Sequence, residues 1–182
     1  MLNDDIKEVL LSEDQIKEIV TRLGEKITED YKDKNLLMIS ILKGSVVFMS
    51  DLMRAIDTKC RIDFMCVSSY GSGTRSSGNV KIVKDLDIDL HGYDVLLVED
   101  ILDSGNTLYY IRGLLASRGA KSIRICTFLD KPSRRTADIA ADYIGSEIED
   151  QFVVGYGLDF DEKYRNLPYL GVPHPYVYSG AE

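Results

Sequence analysis

Residues 95–108, reading Val-Leu-Leu-Val-Glu-Asp-Ile-Leu-Asp-Ser-Gly-Asn-Thr-Leu, constrain the fold of this chain more than any other stretch. The four apolar residues 95–98 have the length and β-branched character of a strand buried on both faces, as in a parallel sheet. Glu99 and Asp100 follow at once, which places acid at the strand's carboxyl end. Asp103, Ser104, Gly105, Asn106 and Thr107 then lead into a helical pattern. In such a turn, backbone N–H groups and hydroxyls point inward, glycine lets a ligand approach, and the helix N-terminus favours an anion. Carboxylates beside that cup suit ribose hydroxyls or a hard divalent cation. The stretch reads as a binder of a phosphorylated sugar.

Elements alternate along the rest of the chain. Ser12-Glu13-Asp14-Gln15 is a capping box, followed by Ile16, Ile19, Val20, Leu23, Ile27 and Tyr31 at helical spacing. Residues 36–42 read as a buried strand, Lys43-Gly44-Ser45 as a turn, and 46–56 as a helix. A strand is expected over 61–68, with Ile62, Phe64 and Cys66 alternating against Asp63 and Met65, and another over 80–83. Between them lies a glycine- and serine-rich segment, 69–79, beginning Ser69-Tyr70. After the cup, 108–118 is a helix closed by Gly119, and 122–129 a strand ending in Asp130-Lys131-Pro132. A short strand near Tyr143 follows, then Phe152-Val153-Val154 and a polar run through Arg165. Pro168, Pro173 and Pro175 make the tail an extended edge segment. Without repeats or linkers, residues 1–182 form one α/β domain: a mainly parallel, twisted sheet flanked by helices, with ligands beyond the strands' carboxyl ends.

Composition narrows the function classes. A net charge of −8 opposes sequence-independent binding to nucleic acid or an anionic membrane. The one dense basic cluster is Lys131, Arg134 and Arg135. No apolar run approaches the ~20 residues of a membrane span, and the opening Met-Leu-Asn-Asp-Asp lacks a signal-peptide pattern, so the expected compartment is the cytoplasm. Cys60, Cys66 and Cys126 form no CxxC pair and read as reduced packing residues. With only His91 and His174, a His-based zinc site or a Ser-His-Asp triad is poorly supplied.

Residues 95–108 resemble the phosphoribosyl pyrophosphate signature of type I phosphoribosyltransferases, in the variant of the bacterial members that act on hypoxanthine and guanine. Further motifs occur in that family's order across residues 36–165. The resemblance implies the family fold with a small hood and a mobile lid. It also implies Mg²⁺-dependent transfer of phosphoribosyl from phosphoribosyl pyrophosphate to a 6-oxopurine, in a homodimer or homotetramer. Residue by residue, Asp103 becomes the general base or acid at purine N7, and Ser104 to Thr107 the 5′-phosphate cup. Glu99 and Asp100 take ribose contacts and a metal role. Lys43-Gly44 matches the pyrophosphate loop, although Ser45 stands where relatives often have a second glycine. Segment 69–79, with Ser69 and Tyr70, matches the lid, which would keep water from a ribosyl centre of oxocarbenium character. Lys131 would donate to the purine O6, Phe152 stack on the ring, and main-chain groups of Val153 and Asp159 read its edge. Asp159 also falls near a metal, and Arg165 matches a pyrophosphate contact.

Read without the resemblance, several of these residues have plainer roles. Asp103 fits an Asx turn, Lys131 a surface lysine paired with Asp130, and residues 152–154 a core strand. Glu99 and Asp100, being adjacent, should point to opposite faces of a regular strand. An aspartyl-phosphate phosphatase would need two aspartates two positions apart, whereas Asp100 and Asp103 are three apart. A xanthine or pyrimidine transferase, and a regulator that binds the same sugar phosphate together with nucleic acid, remain alternatives.

Overall fold

The computed structural model describes residues 2–69 and 80–179. A 3-10 turn, Leu2–Asp5, leads into strand β1 (Ile6–Leu11) and the long helix α1 (Glu13–Asp30). Helix α1 starts at the capping box: Gln15 N donates to Ser12 Oγ at 3.3 Å, and Ser12 N donates to Gln15 Oε1 at 2.9 Å. Ile16, Val20, Leu23 and Ile27 then bury one stripe. The chain continues through β2 (Leu36–Leu42), α2 (Val46–Ala55), β3 (Cys60–Ser69), β4 (Val80–Lys84), β5 (Asp94–Leu102) and α3 (Asn106–Ser117). It ends with β6 (Ser122–Asp130), β7 (Tyr143–Glu147), β8 (Leu170–Pro173) and the short helix α4 (Pro175–Tyr178).

The main sheet runs β4-β3-β2-β5-β6-β7, parallel throughout except for β4 at one edge. Its central strands are covered on both faces, so alternate residues enter separate cores. Met38, Leu96, Val98, Cys126 and Phe128 pack with α1 and α2, whereas Leu37, Ile39, Val95, Leu97 and Ile125 pack with Ile111 and Leu115 of α3. Each such fully buried aliphatic side chain contributes about 1.5–3 kcal/mol. Toward the edge the cover thins. The helices lie over β2, β5, β6 and β7, so on β3 Met65 is buried while Ile62 is 44% exposed, the reverse of the alternation expected there.

Three other expectations shift. Strand β5 does not stop at its acids but runs through Glu99 and Asp100 to Leu102, because pairing with β6 continues to Leu102 opposite Asp130. Helix α3 starts at Asn106, two residues early, and its cap is Arg118, with Gly119 just beyond at φ +85°. Residues 6–11, which show no strand pattern, form β1 because the proline-rich tail supplies an antiparallel partner, β8. That two-stranded sheet is the hood, built from both ends of the chain. Cys60, Cys66 and Cys126 are free thiols. Among the described residues no helix is long and apolar enough to cross a membrane.

Candidate active site

The cup forms where β5 ends. Gly105 sits at φ +82° just ahead of α3, and a Cβ there would stand 2.5 Å from Ile139 Cγ2, so only glycine fits. Asn106 and Thr107 begin the helix, where backbone N–H groups lack intrahelical partners. The turn is braced from outside. Ser104 O accepts from Thr136 N at 3.0 Å and Ala137 N at 3.1 Å, and Asn106 Nδ2 donates to Thr136 Oγ1 at 3.2 Å. Arg135 does more: it donates to the carbonyls of Asp103 at 3.0 Å, Leu102 at 3.2 Å and Ile139 at 3.1 Å, and pairs with the buried Asp130 carboxylate. Asp103 is not consumed by an Asx turn. Its side chain is 43% exposed, with Arg134 Nε 3.3 Å from Oδ1.

Two loops converge on the acids of β5. The backbone at Gly44, behind a cis Leu42–Lys43 peptide, lies so near Asp100 that a Cβ on Gly44 would overlap Asp100 Oδ2. A Cβ on Gly157 would in turn stand 2.1 Å from Gly44 O. Lys43 Nζ reaches Glu162 Oε2 at 2.9 Å across the gap. Arg165 donates to Gly157 O at 2.8 Å and pairs with Asp159 Oδ1 at 2.9 Å, while Asp159 Oδ2 accepts from Glu162 N at 2.9 Å. Asp100 Oδ1 accepts from Ile101 N at 2.8 Å. Glu99 Oε2 and Arg165 Nε are buried without a hydrogen-bond partner among the described residues.

On the far side of the cup, Lys131 is not a surface lysine. It is 7% exposed and donates to Gln151 O at 2.7 Å, because Asp130 is taken by Arg135. That bond holds the segment carrying Phe152. Val153 and Val154 are buried, but Phe152 is 40% exposed, so the run 152–154 is not a core strand.

A family profile described as phosphoribosyl transferase domain matches residues 8–161. Over 178 residues the chain is 56% identical to the hypoxanthine-guanine phosphoribosyltransferase of Bacillus subtilis, covering 98% of this chain and 99% of that one. The crystal structure of a hypoxanthine phosphoribosyltransferase from Staphylococcus aureus superposes with a TM-score of 0.95 at 55% identity, over 97% of this chain and 96% of its own. The bifunctional TilS/HprT protein of Listeria monocytogenes is 51% identical over 98% of this chain, which spans 28% of that protein. The chain belongs to the phosphoribosyl transferase family.

In this phosphoribosyl transferase the cup residues 103–107 and the acids Glu99 and Asp100 follow one another at the end of β5. Lys43, Gly44, Asp159 and Arg165 are tied to one another and to Asp100, and Lys131 lies beside Phe152 through Gln151. Tyr70 and the rest of the expected lid, 70–79, lie outside the described residues; the backbone of Ser69 pairs with Val80. Sequence reasoning missed Arg135 as the brace of the cup, and Glu162 as partner of both Lys43 and Arg165. Glu162 had a partial signal, since it stands three residues before Arg165 in the same polar run. Arg135 had none for its hold on the cup, because the acceptors there are backbone carbonyls.

Burial, with Asp100 alongside, raises the Glu99 carboxyl well above the ordinary value of 4.5, and burial raises Asp100 too. A carboxyl raised in the folded state favours folding when protonated; that contribution is complete below its unfolded value and is lost as pH climbs through the raised one. The ligand-free transferase should therefore lose stability as pH rises from about 4.5 toward neutrality. Glu99→Gln, neutral at any pH, is expected to melt above the parent at pH 8, with the gap closing toward pH 5. A gap independent of pH would show that ionised Glu99 is not the source.

Proposed function

We propose that this enzyme salvages purines, transferring the phosphoribosyl group of phosphoribosyl pyrophosphate to hypoxanthine or guanine and releasing IMP or GMP with pyrophosphate. The observation carrying this reading is the placement of a phosphate cup and two acids between a cationic loop pair, Lys43 with Arg165, and a base side made by Lys131 and Phe152. Ser104 to Thr107 bind the 5′-phosphate through backbone N–H groups and hydroxyls. Lys43, Gly44 and Arg165 receive the pyrophosphate, for which a guanidinium is well shaped. Phe152 offers a ring face to the purine, Lys131 donates to its O6, and main-chain groups of Val153 and Asp159 select its edge. Asp103 takes the proton from N7 as the glycosidic bond forms. Residues 69–79, as the lid, exclude water.

Magnesium fits the donors present. Among the described residues no group of three or more metal-ligating side chains clusters, but Glu99 and Asp100 are adjacent, half-buried carboxyls, and Glu99 Oε2 is a buried oxygen without a hydrogen-bond partner. Such a pair suits a hard cation that retains waters and leans on substrate phosphates, or the ribose hydroxyls. Both would hold Mg²⁺, directly or through water; Asp159 would join only by loosening its bonds to Arg165 and Glu162 N. The ion supplies charge neutralisation on the leaving pyrophosphate.

Pyrophosphate release is the test, with phosphoribosyl pyrophosphate, Mg²⁺ and hypoxanthine, guanine, xanthine or uracil supplied separately. Turnover with the first two supports the reading; turnover with xanthine or uracil alone replaces the base class. Binding of sugar phosphate without turnover would favour a regulator. Against that reading, Lys131 and Arg135 spend their charges internally, leaving no free basic cluster for nucleic acid there. A cytoplasmic homodimer or homotetramer completes the proposal, and sedimentation checks the assembly. Gly44→Ala, which displaces Asp100, is expected to cost roughly 10²-fold in kcat/KM. An unchanged value would separate Asp100 from substrate positioning.

A further inference from the structure

Helix α4 holds an aromatic ring against the base side. The helix is pinned at the hood: His174 N donates to Asp5 O at 2.8 Å, Tyr176 Oη donates to Asp4 O at 2.9 Å, and the His174 and Tyr176 rings stack at 5.3 Å. Val177 packs into the small core of Val154, Tyr164 and Leu167. Tyr178 is thereby carried to Phe152, with ring centroids 5.2 Å apart and planes tilted by 49°. Phe160 meets the same Phe152 ring edge-on at 5.7 Å and 89°. With two rings against it, Phe152 is still 40% exposed, so ring surface remains for a ligand to cover.

We infer that Tyr178 is a positioning residue for base recognition: with Phe160 it fixes the tilt of Phe152, so the C-terminal helix sets affinity for the purine without touching the reacting atoms. The inference rests on the proposed stacking of a 6-oxopurine on Phe152. Phe152 lies in an irregular segment, and no strand pairing there restrains its ring. Two ring neighbours in tilted and perpendicular geometry are the arrangement in which aromatic contacts are favourable. Removing one frees the rotamer, and the base must then pay the ordering cost on binding.

The test compares Tyr178→Ala and Tyr178→Phe with the parent in steady-state kinetics and in calorimetric binding of IMP and of ribose 5-phosphate. The alanine variant is expected to raise KM for hypoxanthine and guanine by about 3- to 12-fold and to weaken IMP to the same degree. Its KM for phosphoribosyl pyrophosphate and its affinity for ribose 5-phosphate should stay at the parent values, which also reports that the fold is intact. The phenylalanine variant should restore the base KM, because the ring and not the hydroxyl carries the effect. Equal base KM in parent and alanine variant overturns the inference, as does a matching loss for ribose 5-phosphate. A parent that neither binds IMP nor turns over 6-oxopurines instead overturns the proposed function on which it rests.

Discussion

Asp103→Ala is expected to lower turnover by roughly 10²- to 10⁴-fold while nucleotide affinity stays near the parent value. Asp103 is the acid at the cup whose side chain points to neither core and remains 43% exposed. Its backbone is fixed by Arg135, and its carboxylate is oriented by Arg134 at 3.3 Å. The side chain is therefore held at the mouth of the site yet reachable by a bound base. Asp103→Asn separates proton transfer from shape, because the amide keeps the size and the Arg134 neighbour but cannot take a proton. Single-turnover kinetics should show the loss in the chemical step for both variants. Unchanged turnover in either would remove Asp103 from the mechanism.

The second large effect concerns stability. Arg135→Ala leaves the Asp130 carboxylate buried without its cation and abandons the carbonyls of Leu102, Asp103 and Ile139. Breaking one half of a buried pair costs about 3–5 kcal/mol. For a domain of this size that is a fall of roughly 6–20 °C in Tm. Removing both charges in a double variant, Asp130→Asn with Arg135→Met, should recover much of that loss, since no isolated charge remains. If the double variant is as unstable as the single one, the carbonyl bonds and not the ion pair carry the stabilisation. Thermal melts of the three proteins decide between these outcomes.

Legibility in the sequence followed the reach of each signal. Strand β2 was placed at its true ends, because a run buried on both faces is bounded by polar residues and a Lys-Gly turn. The capping box placed the start of α1 to the residue, since that motif closes within four positions. The candidate site residues were named from the order of their motifs along the chain. Their geometry was not legible: Asp100 meets the Gly44 backbone of another loop, and Lys131 is buried because Arg135 occupies Asp130. Strand β1 was hidden for a similar reason. Its Lys7 and Glu8 carry no alternation, and its partner lies near the other terminus.

That pairing also orders events during synthesis. Ile6 faces Pro173 and Leu11 faces Leu170, so β1 must wait for its partner until every strand of the main sheet has been made. The strands from β2 to β7 all precede β8 along the chain and can close their sheet in order of synthesis, each new strand docking on one made before it. The hood is thus assembled last: a nascent chain arrested before β8 would carry residues 95–108 and the main sheet, yet lack the partner of β1 and the α4 ring against Phe152.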